Sequence, residues 1–407
     1  MPYDVIVVGA GAAGLMAAGT AVKARKQVLL LDKNERPARK VMITGKGRCN
    51  LTNRTDVNGL IAAVTRNGKF LYSAFHRFSA EDTICLFEEL GVPLKTERGN
   101  RVFPVSDKAV DIVDALARYA KGAMYVTGRA VELLMENGAV LGVKTEDGRS
   151  FFAESVILAT GGMSYPTTGS TGDGYALAEA AGHTLQPSSP SLVPLEAHDG
   201  WVTDLQGLAL KNIGLSVYEE GVAKPIYTDF GELMFAHFGI TGPTVLSASA
   251  HLQPEKIARY TFFIDLKPAL DEKQLDARVL RDFSKYSNKD IKNAMADLLP
   301  QRLIPVIIKK SGLNAAMKVN QLTKSERTAL VTTLKSLPVH VHRFRPLEEA
   351  IVTRGGVKTN EISPTTMESK CCKGLFFAGE LMDVDAYTGG FNLQIAFSTG
   401  FLAGENA

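Results

Sequence analysis

Apolar positions run unbroken through Val5–Val8 and Val28–Leu31, and Ala, Gly, Leu and Met dominate the stretch between them. This pattern predicts strand, turn, helix and strand over residues 3 to 31: YDVIVVGA, GAAGLMAAGTAVKARK and QVLLLD. Residues 35 to 56 lack periodicity and read as a loop rich in Gly and Arg. A helix follows, with Ser79 and Asp82 spaced as a capping box and Gly91 at its stop; another starts near Ser106. Residues 124 to 159 read as a meander of YVTGRAVELLM, AVLGVKT, RSFFA and SVILAT, with hairpin turns at Asn137-Gly138 and Asp147-Gly148. Beyond Gly182 the Pro- and Ser-rich PSSPSLVPLE marks a domain crossing. Short strands are predicted over 190 to 265 and helices over 270 to 335, and a strand-and-glycine texture returns near 346. The two ends therefore build one domain and the middle is an insertion.

Val5 to Val22 carries no charge and is about as long as a bilayer-spanning helix of roughly 20 residues. No basic region precedes it, and Gly9, Gly11 and Gly14 interrupt it, so strand, turn and helix explain it better than a signal peptide or membrane span. A cytoplasmic protein with no membrane partner is the expectation. The 407 residues are 45% apolar and 22% charged, which fits a globular chain and excludes a disordered one. Cys49, Cys85, Cys371 and Cys372 form no CxxC pair, so neither a disulfide scaffold nor a structural zinc motif is expected. Cys85, among apolar helical neighbours in TICLFEEL, is predicted to be a core thiol.

Gly9-Ala10-Gly11-Ala12-Ala13-Gly14 is GxGxxG between a predicted strand and a helix, the context in which a lone glycine motif becomes a dinucleotide fingerprint. The first glycine permits the tight turn, the second lets a pyrophosphate reach the backbone, and the third allows close helix–strand packing. The helix N-terminus offers free N–H groups and partial positive charge. Asp32, ending the second strand, is placed to accept hydrogen bonds from a ribose. Two further strands end in small residues: SVILATGG at 155–162 and GLFFAGE at 374–380, the latter followed by a glycine-led helix start at Gly389-Gly390. Three such strand ends in this order favour FAD over NAD as the tightly held cofactor.

At this point a resemblance becomes specific. GAGAAG (9–14), RKVMITGKGRCNLTN (39–53), GNRVFPVSDKA (99–109), ATGGMSYPTTGSTGDGY (159–175), GELMFAHFGITGP (231–243), VTRGGVKTNEI (352–362) and FFAGELMDVDAYTGGFNLQIAFSTG (376–400) resemble the BaiN/RdsA (YhiN-like) flavoprotein family over essentially the whole chain. The resemblance implies an α/β fold: a two-dinucleotide-binding-type FAD domain (parallel sheet plus β-meander) with an inserted β-barrel-like domain and a small helical domain. The corresponding ranges are 1–188 with 346–407, 189–268 with 336–345, and 269–335. Ala236 stands where the family pattern has Thr.

With the resemblance, which places Arg39, Lys40 and the loop Gly45–Asn50 against the cofactor, the expected FAD-binding set is Gly9, Gly11, Ala13, Gly14, Asp32, Lys33, Arg39, Lys40, Gly45, Gly47, Arg48, Cys49, Asn50, Val131, Thr160, Gly161, Gly379, Glu380, Gly390, Phe391, Asn392 and Leu393, with no metal ligands. Lys and Arg suit a pyrophosphate, and the loop glycines let backbone N–H groups approach the ring. Cys49 is read as a cofactor contact or packing residue ahead of a redox thiol, because no second cysteine lies near it. His237, in MFAHFGITGP before a predicted helix start at Pro243, is a general-acid candidate; a histidine bonding nearby backbone is the equal alternative. Tyr165 is a second candidate donor, or an aromatic wall for the flavin. His340 and His342 alternate with valines on a predicted solvated strand face.

No second GxGxxG is present, so a separate nicotinamide domain is not expected and NAD(P)H would bind transiently. The expected activity is hydride transfer from NAD(P)H through flavin N5 to an activated C=C or C=N group. The resemblance implies divergent substrates, a ribosomal RNA uridine, a steroid-like enoyl compound or a small amine; a non-enzymatic flavin-bound RNA-binding protein is a further alternative. Net charge bears on this choice. The chain carries only +3, yet residues 256–345 hold 18 basic and 8 acidic side chains, leaving 28 basic and 35 acidic elsewhere. A basic insertion of this kind suits contacts to RNA phosphates, although a solvated helical surface looks the same in sequence.

Overall fold

A computed structural model describes residues 3–407. The chain forms two compact units, Met1–Ser191 with Pro346–Ala407, and Leu192–Arg345.

The first unit is built on one twisted sheet. Strands β1 (Tyr3–Val8), β2 (Val28–Asp32) and β3 (Met124–Thr127) lie parallel, with β2 in the middle. Strand β4 (Ala130–Glu136), β5 (Ala139–Thr145) and β6 (Ser150–Leu158) form an antiparallel meander. The far half of β6 then runs parallel to both β1 and β7 (Leu375–Phe377). Two expectations are corrected here. Residues 124–127 leave the meander to pair with β2, and RSFFA and SVILAT are one continuous strand. A four-residue strand has too few positions to reveal its partner by alternation, and no turn residue separates Ala153 from Ser155.

Strands β1 and β2 are buried hydrophobic runs, as strands covered on both faces must be. Helix α1 (Ala12–Lys23) covers one side, and α2 (Asp173–Ala180) follows the β6 turn. Helix α3 (Phe391–Asn406) packs directly along α1. The helix Ala80–Glu89 has the expected capping box, Ser79 accepting from Asp82 N–H and Asp82 accepting from Ser79 N–H. Its buried face is Thr83, Ile84, Leu86 and Phe87, which turns Cys85 outward: the thiol is exposed, not in the core. One residue advances a helix by about 100°, so apolar neighbours in sequence do not imply a shared face.

The second unit is a closed six-stranded barrel of Leu195–Ala197, Gly239–Thr241, Tyr227–Ala236, Ala209–Glu219, Tyr260–Asp265 and Leu337–Phe344, in that spatial order. Its inner positions alternate along each strand, as Tyr260, Phe262 and Ile264 show. Helices Glu272–Ser284 and Lys324–Lys335 belong to this unit, both with capping boxes, and Leu266 N–H donates to Leu334 O (2.9 Å). No helix of the described residues is long and apolar enough to cross a membrane.

Candidate dinucleotide site

In parallel α/β sheets, ligands bind beyond the carboxyl ends of the strands, where successive connections diverge. The first unit has a cleft at that place, enclosing about 1310 Å³ with its open mouth included. Its floor is the β1–α1 turn, and it is walled by the ends of β2 and β6, the residues after β3 and β7, and the start of α3.

The three fingerprint glycines do different work. Gly9 has φ +103°, and a Cβ there would sit 2.5 Å from Ala159 O. A Cβ on Gly14 would overlap the Gly9 carbonyl oxygen, so this residue lets α1 close onto the turn. A Cβ on Gly11 would meet nothing, because it would project into open space. That space is where a bound group can reach the backbone.

Asp32 is held rigidly at the end of β2. Ala10 N–H donates to its Oδ2 (2.6 Å), and Asn34 N–H donates to Oδ1 (2.7 Å). Lys33 pairs with Asp173 Oδ2 (2.6 Å), and Arg129 bonds Asp173 Oδ1 (2.9 Å). Burial works to raise the Asp173 carboxyl, but Lys33 and Arg129 win and hold it below the usual carboxylate range. Lys40 reaches Glu380 Oε2 (2.7 Å) and Ser164 Oγ (2.6 Å). Glu380 Oε1 also accepts from Thr353 N–H (2.7 Å) and Ser164 Oγ (3.1 Å). A four-residue polar cluster thus fixes one cationic and one anionic group at the cleft.

Helices α1 and α3 both present their N-termini here, and neither has a side-chain cap. Their first N–H groups, with the positive ends of two helix dipoles, remain available to a ligand. Gly390, φ +98°, caps α3, and a Cβ there would overlap the backbone of Thr52. Asn392 lines the cleft but spends its amide on Ala386, accepting from its N–H (2.9 Å) and donating to its carbonyl (2.8 Å).

Of the residues expected from sequence, Gly9, Gly11, Ala13, Asp32, Lys33, Arg39, Lys40, Thr160, Gly161, Gly379, Glu380, Asn392 and Leu393 line the cleft together. Gly14, Gly45, Gly47, Arg48, Cys49, Asn50, Val131, Gly390 and Phe391 do not. Arg48 is tied to Glu97 and Asp107 (2.5 Å each) and stacks over Phe103. Val131 is exposed, and its neighbour Ala130 lines the cleft instead. Cys49 is fully buried, and burial pushes its thiol up to about 12 against an opposing hydrogen bond from Thr44. A thiol so protonated is a poor nucleophile. Replacing it by serine is therefore expected to leave kcat within about twofold and to cost about 1–3 kcal/mol in stability, read by steady-state kinetics and thermal melts. Complete loss of turnover with FAD retained would restore a redox role.

Tyr165 lies off the cleft lining in the left-handed region (φ +53°), half-buried, with burial and then Glu349 raising its phenol. His237 is exposed in the hairpin between barrel strands Tyr227–Ala236 and Gly239–Thr241, its ring edge-on to Phe238. Pro243 does open a helix, Pro243–Ser249. His340 is exposed and bonds Asp199 Oδ2 (3.0 Å). Sequence reasoning missed Arg129, Asp173 and the Ile351–Val352 wall. Arg129 was findable only by assigning 124–127 as a third parallel strand, because Gly128 N–H then bonds Asp32 O (2.8 Å) and brings Arg129 to the cleft.

A doubly wound sheet with a glycine-fingerprint cleft, a strand-end acid and two helix N-termini defines a dinucleotide-binding protein, and similarity to known proteins places it in the FAD-dependent oxidoreductase class. The chain belongs to the family described as HI0933-like protein Rossmann domain, which matches residues 3–406. It is 33% identical to the ribosomal RNA dihydrouridine synthase of Escherichia coli over 99% of this chain and 98% of that protein. It is 31% identical to the 3-dehydro-bile acid delta(4,6)-reductase of Clostridium scindens, over 98% of both chains. Among solved structures, the open conformation of a flavocytochrome c3 fumarate reductase shares the fold, with TM-score 0.53, 18% identity, and coverage of 100% of this chain and 78% of that one.

The cleft fits FAD on its own evidence. Gly11 leaves open space against uncapped N–H groups, Asp32 stands at the second strand's end, and Thr160 Oγ1 on the wall is buried with no hydrogen-bond partner.

Proposed function

We propose that this protein reduces a carbon–carbon double bond conjugated to a carbonyl, with NAD(P)H as electron source, and that its substrate is a uridine of ribosomal RNA. The observation that carries the reading is the cleft's match to a dinucleotide, joined to end-to-end similarity with two proteins whose names both describe saturation of such a bond. FAD, when bound, supplies hydride transfer. The chain's own residues supply the rest. The α1 N-terminus and Gly11 would receive the pyrophosphate, Asp32 the adenosine ribose, and Lys40 with Glu380 would orient the polar chain beside the ring. The uncapped α3 N-terminus would favour negative charge at the ring end of the cleft.

The basic insertion supports RNA over a small substrate. Several of its cations are spent internally, as Arg327 on Asp276 and Lys335 on Asp265. Lys273, Lys285, Lys292, Lys309 and Lys324 are exposed and make no ion pair among the described residues, so they remain available to phosphates. The similarity to a bile-acid reductase favours a second reading, a steroid-like enone, in which these lysines are only solvated.

Two measurements test this. Anaerobic addition of NADPH or NADH is expected to bleach the flavin; failure of both removes the nicotinamide-linked reductase. Binding to ribosomal RNA fragments is expected to weaken with salt, and Lys285→Gln with Lys292→Gln to flatten the log–log slope by about 0.7–0.9 per lost phosphate contact. Absence of binding at low salt removes the RNA substrate and leaves the enone.

A further inference from the structure

Away from the cleft, the first unit gathers a histidine, a carboxylate and a thiol from three segments that are distant in sequence. His183 follows α2, Glu361 ends the turn Thr359–Glu361, and Cys371 lies in the loop before β7. Their ligand atoms lie within 4.8 Å of one another. None of the three lines the cleft.

The His183 side chain is 0% exposed, and its Nδ1 makes no hydrogen bond although it lies 3.4 Å from Glu361 Oε2. Its other nitrogen, Nε2, is 2.6 Å from Ser369 Oγ, which also accepts the N–H groups of Cys371 and Cys372. Because Ser369 Oγ already accepts two N–H groups, its hydroxyl donates to Nε2, and the imidazole hydrogen sits on Nδ1, where Glu361 Oε2 at 3.4 Å is too poorly aligned to accept it. A buried polar atom in this position is costly unless something completes it. The 3.4 Å separation is also the edge expected between N and O ligands about 2.0–2.2 Å from a shared tetrahedral ion. Glu361 is positioned independently, accepting from Thr184 N–H (2.8 Å) and Thr184 Oγ1 (2.5 Å). The thiol of Cys371 is exposed, which gives an ion access from solvent.

We propose that His183 Nδ1, Glu361 and Cys371 Sγ bind one Zn²⁺, with a fourth position open to water. Imidazole, carboxylate and thiolate together suit this borderline-soft cation rather than Mg²⁺ or Ca²⁺. On binding, the Cys371 thiol loses its proton to solvent, Glu361 binds as the carboxylate, and the imidazole hydrogen shifts from Nδ1 to Nε2, the Ser369 hydroxyl hydrogen turning away so that Oγ shares its lone pairs with Nε2–H and the two backbone N–H groups. The ion ties the end of α2 to the two segments leading into β7. No sequence motif announces the site, because its ligands are not clustered along the chain.

The test uses the full-length FAD-loaded protein, stripped of metal with a chelator, repurified and titrated with Zn²⁺ by calorimetry. One Zn²⁺ per chain is expected, and Cys371→Ser and Glu361→Gln are each expected to weaken binding at least about tenfold. Co²⁺ is expected to give a thiolate-to-metal charge-transfer band, read as a difference against the metal-free holoprotein, that Cys371→Ser abolishes while the flavin spectrum persists. Failure of the wild type to bind Zn²⁺ overturns the proposal. So does equal affinity in the wild type and both variants, or a cobalt band that survives Cys371→Ser.

Discussion

Gly404→Leu is expected to abolish FAD loading, and Gly404→Ala to lower stability by about 1–3 kcal/mol. Helices α1 and α3 meet along small residues: Ala13 and Ala17 on one, Gly400 and Gly404 on the other. A Cβ on Gly400 would overlap the carbonyl oxygen of Ala13, and one on Gly404 that of Ala17. Both obstacles are backbone, which cannot rotate away. Two effects oppose each other in Gly404→Ala. Alanine gains about 1 kcal/mol of helix propensity over glycine, while the clash forces the helix axes apart and strips packing from a buried seam. The clash is expected to win, because both helices are pinned elsewhere: α1 follows directly from β1, and α3 starts where Gly390 touches Thr52. Since both N-termini line the cleft, separating the helices also spoils the register of their N–H groups. Thermal melts and the flavin-to-protein absorbance ratio check this. A Gly404→Ala melting temperature at or above wild type would refute the tight seam.

The parts of this molecule that were legible in sequence are those whose determinants are contiguous. β1, α1 and β2 announce themselves because a buried strand, a glycine turn and an Ala-rich helix follow one another within 32 residues. Asn137-Gly138 marks its turn because both residues take positive φ (+50° and +77°), the geometry that the Asn-Gly pair favours. The barrel and its helices read as a change of texture, with the chain passing from one unit to the other at Ser191 and returning at Pro346.

What escaped depends on partners far along the chain. The short strand β3 reads as part of a meander, yet it extends the parallel sheet and brings Arg129 to the cleft. Arg48 sits in a loop that suggests an anion contact, but Glu97 and Asp107, 49 and 59 residues further along the chain, engage it. Cys85 has apolar neighbours in sequence and solvent in space. The α1–α3 seam joins residues nearly four hundred positions apart, and glycines inside a helix give no local sign of what they touch.

The fingerprint itself permits a sharper separation of cofactor from fold. Gly11→Ala is expected to fold as well as wild type yet bind FAD more weakly, whereas Gly14→Ala is expected to lose stability as well as affinity. Gly11 has φ −80° and ψ −167°, an extended conformation open to any residue, and its added Cβ meets no protein atom. The apoprotein should therefore change by no more than about 0.5 kcal/mol. The methyl would instead occupy the space through which a pyrophosphate reaches the first N–H groups of α1, and an affinity loss of about tenfold or more, roughly 1.4 kcal/mol, follows from displacing even one such contact. Gly14 differs because its Cβ would overlap the Gly9 carbonyl within the protein itself. Relief requires moving the β1–α1 turn, so stability should fall by about 1–3 kcal/mol or more, with or without cofactor. Apoprotein melts and fluorescence titration with FAD distinguish the two variants. Wild-type FAD affinity in Gly11→Ala would mean that the phosphates do not lie against α1, and the assignment of Asp32 to the ribose would fall with it.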